Sequence, residues 1–463
     1  VGDLKQALVE ALAPDRVYSD MAGRTAYEFD ASLARGRPDL VVTPVTAAEV
    51  ARVVELAEEF GAPLVARGAG TGLSGGAIAS RGGIVVAFTR MDRILQLEPR
   101  DRLAIVEPGV VNDRLTVAAE EHGLYYAPDP SSQRICTLGG NVAENSGGAH
   151  CLAHGTTTNY VLGVEVAVAG GRLVWLGGPA GDEAGYDLRG AMVGSEGTLG
   201  MVTKIALRLR RAPEAVRTLL AAFAGVGEAG EAVTRIIAAG ILPVALELMD
   251  GMTVRAVERA LRPGFPEDAG AILLVELEGA EEGLEEEMAR IVKICGESAT
   301  ETRLARNEAE RAALWRGRKG ARTVLGNLRP NYYVHDAVVP RSRVPEALAA
   351  IEIVAAKYEM PVATYLHAGD GNLHPNVLFD ASDPAEEERA MKAGEEILHL
   401  CLAMGGALSG EHGIGLEKRS YMDAVLTPED QAAMQRVGTA FDPEGRFNPG
   451  KIFADEPGNG ASS

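Results

Sequence analysis

The chain has 463 residues, 46% hydrophobic and 24% charged, a globular composition that excludes gross disorder. Lys and Arg total 45 against 65 Asp and Glu, a net charge of −20. So acidic a chain has no electrostatic footprint for nucleic acid or an anionic membrane surface, and an anionic ligand has to be held by a local device. The four cysteines, Cys136, Cys151, Cys295 and Cys401, are far apart and form no C-x-x-C. That argues against a disulfide framework, Cys-ligated zinc and an iron–sulfur cluster, and buried, reduced thiols fit the cytosol. Asp3, Lys5 and Glu10 break any apolar run at the N-terminus, so no signal-peptide pattern is visible there. No stretch reaches the roughly 18 apolar residues of a spanning helix.

Residues 1–37 read as a polar, mainly helical segment. From Pro38 the pattern is strand, helix, strand. Thr46 and Glu49 form a T-x-x-E capping box, and Val50, Val53, Val54 and Ala57 recur at helical spacing before Gly61. Short strands separated by glycine-rich turns follow: GIVVAF, LAIVEPGV, VLGVEVAV and RLVWLGG, with a hairpin turn at Ala169-Gly170-Gly171, and VTKIALRLR near Arg211. Pro213 marks a boundary. Beyond it, two rounds of strands interleaved with amphipathic helices predict an antiparallel, ferredoxin-like sheet covered on one face. The fold class is α+β. The C-terminal stretch reads as a short helix followed by Pro/Gly turns.

The first chemical signal is ARGAGTGLSGGA, with Gly68, Gly70, Gly72, Gly75 and Gly76 within nine residues. Such density frees the backbone for left-handed conformations and exposes successive N–H groups, a nest able to hold a pyrophosphate without lysine. Gly70, Gly72 and Gly75 match G-x-G-x-x-G, but the helix precedes the loop and a strand follows it. A Rossmann fold is therefore not expected. Three more segments of small residues follow: Tyr125–Gly148, His154–Gly163 and Val193–Ile205. Small residues over such lengths fill a core badly but let backbone press against a large flat ligand.

The second signal is HAGDGNLHPNV, with His367 and His374, and later SGEHGIGLEK, with Glu411 and His412. Two imidazoles and a carboxylate can hold a divalent metal with open positions. His122, His150, His154 and His399 read as ordinary core or surface histidines, and His335 stays open.

These segments, in this order, resemble the flavin domain of vanillyl-alcohol-oxidase-type flavoproteins. More closely they resemble the FAD-linked D-2-hydroxyacid dehydrogenases, the family of the glycolate oxidase flavin subunit, from about Pro38 to Phe453. After the N-terminal helical segment read above (1–37), the resemblance implies a vanillyl-alcohol-oxidase-type FAD-binding domain (38–212) and a substrate domain (213–410), the latter carrying the ferredoxin-like sheet that the pattern predicts. It also implies a C-terminal helical segment returning to the flavin (411–455); the composition of 456–463 reads as a disordered tail. It implies that Arg67, Gly68, Ala69, Gly70, Thr71, Gly72, Leu73, Ser74 and Gly75 wrap the FAD pyrophosphate. Pro108, Gly109, Asp129, Ser131, Thr137, Gly139, Gly140, Ala143, Gly147 and Gly148 would line the isoalloxazine and ribityl chain. Gly155, Glu196, Gly200 and Val202 would bound the adenine half, and Asn448 and Lys451 would return to the flavin. The glycine loop has no histidine, so the FAD is expected to be non-covalent.

By the same resemblance His367, His374 and Glu411 ligate a divalent metal, zinc or manganese. His412 is the general base, Asn376 contacts substrate, and Arg318 clamps its carboxylate. Read without the resemblance, Arg318 is equally a solvated helix charge. Some relatives have a lysine near NYYVHDAVVP, where this chain has Val334-His335-Asp336, a departure that favours a small monoacid. The implied reaction is oxidation of a D-2-hydroxy acid, D-lactate or glycolate, to the 2-oxo acid with hydride transfer to flavin N5. Electrons would pass to a partner subunit, an electron-transfer flavoprotein, a quinone or oxygen. The implied location is cytoplasmic, or peripheral to a membrane through a partner; homo-oligomerisation stays open. A redox-neutral flavoenzyme of the same superfamily and a catalytically silent flavin-binding subunit are the competing readings.

Overall fold

The computed structural model describes residues 2–180 and 185–454; the tail 456–463 lies outside the described residues. The chain divides into two compact units. The first takes the described residues within 1–147, 156–212 and 411–463, and the second takes 148–155 and 213–410.

Among the described residues the first unit holds eleven strands in chain order: β1 (Val17–Tyr18), β2 (Leu40–Val42), β3 (Leu64–Arg67), β4 (Ile84–Ala87), β5 (Ile94–Glu98), β6 (Leu103–Val106), β7 (Leu124–Tyr125), β8 (Val161–Val168), β9 (Arg172–Gly177), β10 (Met201–Arg208) and β11 (Arg210–Arg211). Strands β1-β2-β4-β3 form one sheet, β5-β6-β10-β8-β9 a second, and β7 pairs with β11. In the first sheet β2, β4 and β3 are parallel. Parallel strands need a crossover, which helix Ala47–Glu59 provides between β2 and β3. That helix buries Val50, Val53, Val54 and Ala57, as the spacing predicts. Thr46 caps it by accepting from Glu49 N at 3.2 Å. The other half of the capping box differs: Glu49 Oε2 accepts from Val45 N and ion-pairs with Arg16 instead of reaching the N-cap amide. Gly170 and Gly171 take φ of 75° and 67° in the β8–β9 turn, a conformation that favours glycine. The N-terminal segment has helices Gly2–Leu12 and Met21–Thr25. Leu4, Leu8 and Leu12 join the core of the first sheet.

The second unit carries β12 (Ala215–Phe223), β13 (Ala245–Asp250), β14 (Ala271–Gly279), β15 (Glu301–Leu304), β16 (Asn331–Val334), β17 (Ala337–Val338), β18 (Val362–His367) and β19 (Asn372–Phe379). All eight lie in one antiparallel sheet, seven in the order β15-β12-β14-β13-β18-β19-β16, with β17 beside β16 on β19. The run β15-β12-β14-β13 is the 4-1-3-2 order of a ferredoxin-like sheet. The coverage differs from the sequence expectation. One face packs on helices Val226–Ala238, Glu281–Gly296, Val344–Tyr358 and Pro384–Ala403 through Leu219, Phe223, Leu248, Leu273 and Val377. The other face is not bare. Helices Gly251–Leu261 and Glu308–Leu325 cover part of it through Val254, Leu314, Ala321 and Leu325 against Leu220, Met249, Ile272 and Tyr365. Strand alternation explains both faces, because apolar residues occupy odd and even positions alike in AILLVELEG.

Candidate active site

In the first unit three small-residue segments press backbone to backbone. A Cβ on Gly68 would stand 2.2 Å from Thr137 Oγ1, one on Gly139 2.6 Å from Pro108 Cβ, and one on Gly109 2.1 Å from Phe88 O. Gly70 and Gly75 take φ of 70° and 79° in the loop itself. The segments line a narrow cavity of about 50 Å³. Nine residues expected at the cofactor line it: Arg67, Gly68, Pro108, Thr137, Gly139, Gly140, Ala143, Gly200 and Val202. Sequence reasoning missed Ala66, Phe88, Met192, Ser195 and Gly197. Ser195 and Gly197 flank Glu196 in VGSEGTLG and were open to the same small-residue argument. Thr137 Oγ1, Arg67 Nη1 and Asn448 Oδ1 are buried without hydrogen-bond partners. Buried polar atoms without partners are costly unless a ligand satisfies them. Close backbone, left-handed glycines, a buried cation and orphaned polar atoms fit a dinucleotide.

Other expected cofactor residues also tie the unit together. Glu196, at φ 51°, accepts from Ile414 N and Gly415 N at 2.7 Å each. Asn448 Nδ2 donates to Gly76 O and Glu196 O, and Lys451 Nζ to Ile78 O. These side chains tie the C-terminal segment to the end of the glycine loop, where Leu416 N also donates to Ser74 O. Burial raises the carboxyl of Glu144 well above its usual range, and neighbouring Glu196 and Asp30 raise it further. Burial also lowers the Lys451 ammonium to about 8. Ala69, Thr71, Gly72 and Leu73 lie along the loop, Asp129 is half-buried and Ser131 is exposed. Gly147 ends its stretch of the first unit, whereas Gly148 and Gly155 bracket the segment that packs with the second. The reason is charge: within the second unit His154 Nε2 sits 2.9 Å from Glu278 and His150 Nε2 3.4 Å from Glu276.

In the second unit register assembles a polar row on one face of the sheet. Glu247 is opposite His367, Tyr365 opposite His374, and Ala363 opposite Asn376. The His367 and His374 rings lie edge to face at 5.1 Å. His367 Nδ1 is 2.7 Å from Glu247 Oε1, so a metal would be taken on Nε2. Asn376 is fully buried. Its Nδ2 donates to Ala363 O and His374 O, and its Oδ1 has no hydrogen-bond partner. Helix Glu308–Leu325, N-capped by Asn307, faces this row. Its Arg318 is only 3% exposed, which rules out the solvated-charge reading. The guanidinium stacks 4.8 Å over the Tyr365 ring and pairs with Glu247 at 2.5 Å, while its Nε has no hydrogen-bond partner. Gly317 lets this helix approach, since a Cβ there would meet Phe265 and Pro263 at 2.8 Å. One and two turns back, Trp315 and Arg311 both donate to buried Glu276. His335 is a packed core residue, its ring 4.3 Å from Tyr333. Asp336 accepts from Ser409 Oγ and Gly410 N, fixing the chain just before Glu411. Two imidazoles on adjacent strands, one oriented by a carboxylate, fit a divalent metal.

Glu411 and His412 open the last stretch of the first unit. Both are half-buried, with His412 Nε2 3.9 Å from Glu411 Oε1. Sequence reasoning missed Glu247, Tyr365 and Glu276. The available signal was a charge at an inward position of an otherwise apolar strand, as in ALELMD.

A flavin-cradling α+β unit and a ferredoxin-like unit bearing buried imidazoles and an arginine define an FAD-dependent oxidoreductase. Residues 38–177 match the FAD binding domain, and residues 212–452 match the C-terminal domain of FAD linked oxidases. The chain belongs to the FAD linked oxidases. It is 45% identical over 427 residues to glycolate oxidase subunit GlcD of Escherichia coli (strain K12), covering 92% of this chain and 86% of that protein. It is 32% identical over 456 residues to D-lactate dehydrogenase of Anaerostipes hadrus, covering 95% of each. Among solved structures, p-cresol methylhydroxylase with substrate bound superposes with a TM-score of 0.81 at 17% identity, over 98% of this chain and 97% of that one. That likeness gives the fold, which is of the vanillyl-alcohol-oxidase type. No described helix is long and apolar enough to cross a membrane.

Proposed function

We propose that the protein oxidises a small D-2-hydroxy acid, glycolate or D-lactate, to the 2-oxo acid. The observation that carries this reading is the buried row of Arg318, Tyr365, His367, His374 and Asn376 in the second unit of an FAD-linked oxidoreductase. The names of the two relatives support the substrate class.

FAD, when bound without a covalent link in the glycine cradle of the first unit, supplies the hydride acceptor. A divalent metal, zinc or manganese, held by His367, His374 and Glu411 would supply Lewis-acid polarisation of the α-hydroxyl. Arg318 binds the substrate carboxylate. Its planar fork suits that anion, and stacking on Tyr365 keeps the plane fixed. Asn376, whose Oδ1 is buried without a hydrogen-bond partner, offers a polar contact to the substrate. His412 takes the hydroxyl proton, since a neutral imidazole nitrogen is suited to accept one. Burial of Arg318, His367 and His374, each below 5% exposed, strengthens every charge interaction in that row. The electron acceptor beyond the FAD that the glycine cradle would hold would be a partner chain, an electron-transfer flavoprotein, a quinone or oxygen. The word "subunit" in the name of the GlcD relative supports a partner chain.

The test is spectral. Purified protein is mixed anaerobically with glycolate, D-lactate, L-lactate and D-2-hydroxyglutarate, before and after chelation and metal add-back. Bleaching of the flavin bands by glycolate or D-lactate, lost on chelation and restored by zinc or manganese, is expected. No bleaching by any of the four overturns the reading. His412→Ala is expected to lower turnover roughly 10²–10⁴-fold with the flavin spectrum retained.

A further inference from the structure

We propose that Glu247 is a positioning residue that joins the substrate arginine and a metal histidine into one rigid device. This rests on the proposed function above and adds a residue to it. Glu247 sits in the middle of β13, between β14 and β18, and is fully buried. Its two oxygens serve different partners: Oε1 meets His367 Nδ1 at 2.7 Å, and Oε2 meets Arg318 at 2.5 Å.

A carboxylate at such a position is costly. Strand neighbours on the same face are Ala245 and Met249, and Met249 packs into an apolar cluster. An apolar residue would satisfy that surface without desolvating a charge. The carboxylate is explained by what it orients. By accepting from Nδ1 it fixes the His367 tautomer and ring plane, and it makes Nε2 a better ligand. By pairing with one edge of Arg318, opposite the Tyr365 ring, it fixes the guanidinium plane. The separation between carboxylate anchor and metal ligand is then set by a single side chain on a central strand.

The experiment compares wild type, Glu247→Gln and Glu247→Asp as FAD-loaded protein. Each is stripped with a chelator and titrated calorimetrically with Mn²⁺ and with Zn²⁺. KM and kcat for glycolate and D-lactate are then measured at saturating metal, and a melting curve is recorded. Glu247→Gln is expected to bind metal roughly 10–100-fold more weakly. Its KM should rise about tenfold or more while kcat at saturation falls less, with the flavin spectrum unchanged. Glu247→Asp, which keeps the charge on a shorter stem, should restore part of the metal affinity. If Glu247→Gln does not fold, the Asp variant alone decides by the same two readouts. Metal affinity and KM within twofold of wild type in a folded variant overturn the assignment while the proposed function stands. A wild type that takes up neither metal overturns both.

Discussion

Gly139 shows how a single hydrogen atom can decide how closely two segments approach. Its φ is ordinary, so conformational freedom is not the reason for glycine there; a Cβ would meet Pro108 Cβ at 2.6 Å and Pro108 O at 2.9 Å. Gly139→Ala is expected to destabilise the first unit by about 1–3 kcal/mol of overpacking. It should also lower the flavin content of purified protein, read from the visible absorbance per mole of chain. Retention of full flavin would show that the segment can shift without harm. Arg318 teaches the converse. On sequence it was equally a solvated charge, and helical position alone does not separate the two readings. Burial and a carboxylate partner do.

Helix Glu308–Leu325 is held to the sheet by charge as much as by apolar packing. Arg311, Trp315 and Arg318 lie at spacings of four and three, on one helical face, and reach Glu276 and Glu247. Burial pushes the Glu276 carboxyl up, but hydrogen bonds and charge from His150 and Arg311 outweigh it and hold the group at about 2, against a usual 4.5. A depressed native pKa favours the folded state when the group is ionised. The stabilisation is complete above about pH 4.5 and is lost as pH falls toward 2, a swing of roughly 3 kcal/mol. Denaturant unfolding of the second unit between pH 6 and 2.5 should show this loss. Glu276→Gln should flatten it, at a cost of about 1–3 kcal/mol at neutral pH for weakening the charge-assisted bonds from Arg311 and Trp315. An unchanged slope in the variant would assign the pH dependence elsewhere.

At the level of the whole molecule, each unit has its own apolar core, and the cofactor cradle lies within the first. FAD should therefore stabilise that unit by linkage, by about 2.7 kcal/mol at a free concentration of 100 Kd. Calorimetry of stripped and reloaded protein should show the first unit's transition move and the second's stay. Movement of the second alone would place the cofactor wrongly. A net charge of −20 makes such a cradle necessary, because the bulk surface repels an anionic dinucleotide.

The sequence by itself determined the local matters: the crossover helix after Thr46, the hairpin at Gly170-Gly171, the glycine loop and the ferredoxin-like alternation of strands and helices. These are set by period, capping and backbone freedom over a few neighbouring residues. The tertiary structure decided what depends on partners far along the chain. Glu247 meets His367 120 residues away, and His150 meets Glu276 126 residues away. Asn448 serves a loop 372 residues before it, and the sheet of the second unit has helices on both faces. Burial and charge pairing are properties of sheet register and packing, and a linear pattern does not carry them.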